Sequence, residues 1–141
     1  GEYARTIPVA GQYEVSVNEP TRGVEKTTIT TPPDFAITSP ARGGDASLSG
    51  FNLTWSGADA QLDVKITLTQ TLFGEEKRRI FGPFTDLGSQ SFDAADLADF
   101  QQGASIAIKV TKIAELRAIN GFNTGVLTVE RSRTILVTPG P

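Results

Sequence analysis

The sequence predicts an all-β fold, an antiparallel β-sandwich with an added N-terminal hairpin and one short helical turn. Three observations carry this prediction. Wherever the apolar residues show a period it is two, those runs are filled by Val, Ile, Thr and Phe, and clusters of Gly, Asn and Pro fall between them. At 141 residues the chain suffices for one domain with a real core, since a domain of about 150 residues buries roughly 68–70% of its unfolded surface. Hydrophobic residues at 38% and charged residues at 21% lie within the globular range, so the bulk of the chain is expected to fold.

Residues 1–33 read as a β-hairpin extension and residues 34–141 as the sandwich. In the extension, one strand alternates through Tyr13, Val15 and Val17 and another returns from Val24 through Ile29, with "NEPTRG" between them. The segment echoes the end of the chain: "GQYEVSV" is similar to "GASIAIKV", and "GVEKTTITTP" to "GVLTVERSRTILVTP". The hairpin is either a remnant of a preceding sandwich or an addition to the one that follows. Because a two-stranded hairpin is marginal alone in water, packing onto the main unit is expected. "TTPPDF" is the stiff link, with Pro32 and Pro33 fixing φ.

In the sandwich, Phe51, Leu53 and Trp55 alternate with Asn52 and Thr54, "SGADAQ" turns the chain, and Leu62, Val64, Ile66 and Leu68 alternate with Asp63, Lys65 and Thr67. "EEKRRIFGPF" reads as an edge strand whose charges and Pro83 guard it from pairing with other chains. "SFDAADLADFQQG" is the one helical signal: Asp93 as N-cap, Leu97 and Phe100 three apart, and Gly103 as a stop, together a plug for one end of the sandwich. Ile106, Ile108 and Val110 form the next strand, "NGFNTG" the turn, and "VLTVERSRTILVTP" the last strand.

Over roughly residues 34–141 this pattern resembles the fibronectin type III and immunoglobulin-like β-sandwich modules of bacterial cell-surface and periplasmic proteins, often lipid-anchored. In such modules a Trp on the second strand follows an apolar alternation, and "FNLTWSG" places Trp55 in that slot. The family also has a Leu, then Pro-Gly-Thr, then a Tyr opening the sixth strand. Here Phe100 takes the Leu position, Gln102 and Gly103 the Pro-Gly, Ala104 the Thr and Ile106 the Tyr, with Ile108 and Val110 at the core positions that follow. The chain departs from the family in two respects. Ile106 has no hydroxyl for a tyrosine corner, and no Cys pair bridges the sheets.

The chain has no His, Cys or Met, which excludes a Ser/His/Asp triad, a Cys nucleophile and a typical zinc site. A carboxylate pair of the glycosidase kind is the remaining enzymatic option. Asp93, Asp96 and Asp99 recur every third residue, but the simpler account is a solvated face with charge favourable near a helix start. A calcium site using the same oxygens lacks EF-hand spacing. A net charge of −3, from scattered charges of both signs, gives no basic field for a phosphate backbone. No window approaches the ~18 apolar residues of a membrane helix.

The last strand holds a conflict. Leu127, Val129, Ile135 and Val137 share one face by parity, and Arg131 and Arg133 fall on that face between them. Two unpaired guanidinium groups in a core would be very costly. A β-bulge near Ser132, emergence where the sheets splay, or a partner carboxylate such as Glu115 would each resolve it, and an anion-binding groove is the functional alternative. Phe122 and Asn123 in the "NGFNTG" turn join Arg131 and Arg133 as candidate ligand or partner residues. Phe81 and Phe84 mark a protein-binding edge or, more simply, an inward-facing hairpin.

With the setting that the resemblance implies, the expectation is a noncatalytic extracytoplasmic module of a bacterial envelope protein, in the periplasm or at the cell surface, with a protein or polysaccharide partner, no nucleic acid, no cofactor and no metal. A chain that starts at Gly1 without Met is expected to come from a longer precursor, with room for a lipid anchor upstream. The alternative function is a carbohydrate-binding module that uses exposed loop aromatics.

Overall fold

A computed structural model describes residues 12–19, 23–117 and 126–141. Two sheets pack face to face. The smaller contains β3 (Ile37–Ser39), β5 (Gly50–Trp55) and β8 (Ser89–Asp93) in the order β3-β5-β8. The larger contains β4 (Asp45–Ser47), β6 (Asp63–Leu72), β7 (Glu75–Thr85), β9 (Ile106–Arg117) and β10 (Val126–Gly140) in the order β4-β10-β9-β6-β7. β1 (Gln12–Glu19) and β2 (Gly23–Thr30) form the N-terminal hairpin, with Gln12 opposite Thr30 and Glu19 opposite Gly23. The fold is therefore the β-sandwich that the alternation predicts.

The core lies between the sheets. Leu53, Trp55 and Phe92 of the smaller face Val64, Ile66, Leu68, Ile106, Ile108, Val110 and Val137 of the larger, all of them buried. Each such side chain contributes about 1.5–3 kcal/mol through removal of its apolar surface from water, which sets the register of every strand that carries one. Leu97 and Phe100 close one end of the core as the sequence leads one to expect. The segment between them is not a helix, however. Asp93 and Asp96 accept from each other's backbone amides at 2.9–3.0 Å, in the manner of a capping box, but the chain then closes in successive turns, with Phe100 N donating to Leu97 O. Gly103 ends them in the left-handed region, at φ 113°.

Two further differences concern the strands. The pairing is not wholly antiparallel, because β4 lies parallel to β10, with Thr138 opposite Asp45 and Gly140 opposite Ser47. Gly43 N donates to Leu136 O and Thr138 N to Gly44 O, so the chain that leaves β3 at one sheet is carried across to the other. The expected edge strand is present as β7, and a bulge marks its second half. Ile66 faces Phe81 and Val64 faces Phe84, so Gly82 and Pro83 stand against the single residue Lys65. Gly82 has φ 95° and a Cβ there would lie 2.6 Å from Val64 O, which explains a glycine at this point.

The echoed segments form matching elements, since β1–β2 and β9–β10 are both antiparallel hairpins. β2 approaches β9. Residues 118–125, which include the "NGFNTG" turn, lie outside the described residues.

Candidate functional site

The same parity that buries Ile106, Ile108 and Val110 on β9 also points Lys112 inward, and its side chain is fully buried. Lys112 Nζ donates to Ser56 O at 3.1 Å and Gly57 O at 2.5 Å, lies 3.0 Å from Asp86 Oδ2, and sits 4.8 Å from the centre of the Phe35 ring. Asp86, equally buried, accepts from Trp55 Nε1 at 2.7 Å, Gly88 N at 3.2 Å and Asp59 N at 3.1 Å. Three ammonium protons meet three acceptors and both carboxylate oxygens are occupied, so the pair satisfies the condition under which a buried ion pair is tolerated. Its partners come from the β5–β6 turn, the residues before β8 and β9, so it ties both sheets together at the end opposite Leu97.

Arg131 and Arg133 sit beside this knot. The β9–β10 ladder runs unbroken from Val126 opposite Arg117 to Val137 opposite Ile106, so no bulge intervenes at Ser132, and both Arg keep the inward face. Three strands cannot cover five, and the two guanidinium groups emerge at the uncovered rim, where they meet Asp34. Arg133 Nη2 donates to Asp34 Oδ1, Arg133 Nε donates to Phe35 O at 3.2 Å, and Arg131 Nη1 lies 3.5 Å from Asp34 Oδ1. Glu115 does not share this face, because it lies opposite Thr128 on the other side of the sheet. The carboxylate that answers the two Arg is thus Asp34, and the anion-binding groove that was the alternative reading already holds a carboxylate of the chain's own. Phe122 and Asn123 lie outside the described residues.

Among the carboxylates considered for catalysis, Asp93 and Asp96 are engaged with each other's amides, and Asp99 lies 3.5 Å from Arg79 Nη1. Among the described residues no group of three or more acidic side chains could hold a metal ion. Phe81 turns inward, edge-on to Phe92 at 4.9 Å, with the Arg79 guanidinium 5.5 Å from its ring centre.

The surface feature that stands out is the tip of the β6–β7 hairpin. Phe73 and Gly74 form its two-residue turn, both with positive φ, 51° and 78°. Such turns favour Asn-Gly, and an aromatic residue in the left-handed region is unusual. Phe73 is also 98% exposed. Beside it lies a hollow of about 110 Å³ lined by Gln70, Leu72, Glu75, Lys77, Asp99 and Gln101. Its floor is fixed, since Gln70 Nε2 donates to Gln101 O and Ala104 O and Gln70 Oε1 accepts from Gln101 N. Its rim carries the Glu75–Lys77 ion pair at 2.8 Å, which holds the Glu75 carboxyl below and the Lys77 ammonium above their ordinary values.

Comparison of the chain with family models, curated proteins and solved structures finds no match. Sequence reasoning missed Lys112, Asp86 and Phe73. Lys112 was legible as the next alternate position after Val110. Phe73 was legible as an aromatic directly before Gly in a short turn, whereas Asp86 lies in a connection with no period to announce it.

Proposed function

We propose that this chain is a noncatalytic structural or interaction module of a bacterial envelope protein, acting outside the cytoplasm by presenting a hairpin on a rigid sandwich. The observation that carries this reading is Phe73. A side chain held in a costly backbone conformation and left almost wholly in water serves no packing purpose, and strain of this kind concentrates where partners are met. The guarded edge strand, the charge-tied core and the resemblance to envelope modules support the setting. Net negative charge supports a protein or polysaccharide partner over a nucleic acid. Cosedimentation with isolated bacterial envelope fractions is the test. Wild-type chain should bind and Phe73→Asn should lose most of that binding; equal binding by the two, or none by either, would count against the reading.

The hollow favours a second reading, carbohydrate binding. An aromatic face next to carboxylate, amide and ammonium groups matches the mixed apolar and polar surface of a sugar ring. Titration with envelope polysaccharide fragments should then move the amide resonances of Asp99 and Gln101. Trp55 fluorescence should stay constant, because that ring is buried and bonded to Asp86.

A further inference from the structure

We infer that the free edge of β7 pairs with the β7 edge of a second copy of this chain, antiparallel and centred on Lys77. Among the described residues β7 is the outer strand of the larger sheet, with no strand paired to one side of its backbone. The two-residue turn makes Leu72 and Glu75 the closing pair of the hairpin. Alternation then directs the backbone groups of Glu75, Lys77 and Arg79 toward β6 and those of Glu76, Arg78 and Ile80 out of the sheet.

The segment "EEKRR" is complementary to itself in one register. Run antiparallel about Lys77, it sets Glu76 opposite Arg78 and Glu75 opposite Arg79, twice each by symmetry. Glu76 and Arg78 both direct their backbone groups outward, so the pair that matches in charge also matches in hydrogen-bonding phase. Moving the register by one residue breaks that phase. Moving it by two puts Glu76 against Glu76 or Arg78 against Arg78. The Lys77 pair at the centre is the one like-charge contact; within each copy Lys77 has its own Glu75 at 2.8 Å, Arg78 its own Glu76 at 3.2 Å and Arg79 its Asp99 at 3.5 Å, so the cross-strand pairs join these exposed ion pairs into one alternating network.

The same register brings Phe73 alongside Phe81 of the second copy and Ile80, itself 56% exposed, across from Gly74. Phe73 thereby gains cover, and Gly74 leaves room for the Ile80 side chain. The charges that bar unrelated strands from this edge admit one partner, which is the edge itself. The inference goes beyond the assignment above, because pairing requires only β7; a monomeric chain would overturn it and leave that assignment standing.

Sedimentation equilibrium of the 141-residue chain over a range of concentrations, at low and high salt, tests it. Doubled mass at high concentration, weakened by salt, is expected. Glu76→Arg and Arg78→Glu should each weaken the dimer by about tenfold or more, since each turns two attractive cross-strand pairs into repulsive ones. An equimolar mixture of the two variants should restore it as a heterodimer, which also shows that both variants are folded. A monomer at every concentration, a dimer indifferent to both substitutions, or a mixture that fails to recover would each overturn the inference.

Discussion

A lysine ammonium enclosed by a carboxylate, two carbonyls and a phenyl ring depends on all of them together. Lys112→Met leaves the Asp86 carboxylate buried without its counter-charge, and we expect a loss of about 3–5 kcal/mol, measured by urea unfolding. Adding Asp86→Asn should recover part of that loss, because an amide oxygen still accepts from Trp55. At the rim, burial by itself would raise the Asp34 carboxyl, but the hydrogen bond and charge of Arg133, the Phe35 amide and the charge of Arg131 outweigh it, and the group lies below its ordinary value of 3.8. A carboxyl depressed in the folded state stabilises fully above its ordinary value and loses that contribution as pH falls through the lower, folded-state value. Asp34→Asn should therefore lower the melting temperature at neutral pH, and the two curves should converge in acid. Arg131 and Arg133 were visible in the sequence as a conflict. The residue that resolves it was not, because Asp34 is separated from Arg133 by nearly the whole sandwich.

Among the elements, the β6–β7 hairpin carries backbone strain at its exposed tip. Phe73→Asn puts a residue tolerant of positive φ into the turn and removes an exposed ring, so the variant should be more stable by about 0.5–1 kcal/mol, seen as a rise of roughly 3 °C in melting temperature. The long strands β6, β9 and β10 were legible because each supplies three or four alternate apolar residues; Val64, Ile66 and Leu68 on β6 alone specify which face is buried. β3, β4 and β8 were not. The first two have three residues each and the third has five, mostly polar, and they exist because neighbouring strands supply their hydrogen-bond partners. The expected helical turn failed for a related reason. Its capping pair formed, but burial of Leu97 and Phe100 against the end of the core decided the path between them.

At the scale of the molecule, the sandwich and the N-terminal hairpin are expected to depend on each other. Ala114 and Val129 face each other on β9 and β10 beyond Ile113, where pairing with β6 ends, and both are buried. A chain beginning at Asp34 should melt at a lower temperature than the whole; identical melting would show that the hairpin contributes nothing to the sandwich.

The parallel pairing of β4 with β10 bears on how the chain would carry tension. Thr138 and Gly140 lie beside Asp45 and Ser47, Leu48 N donates to Gly140 O, and Ser47 Oγ donates to Pro141 O. Force applied before β4 and after β10 draws the two strands past each other along their length. Their hydrogen bonds are then loaded together rather than opened one after another. A short clamp between β4 and the end of β10 would thus yield only as a unit, and the core behind it would be shielded until it did.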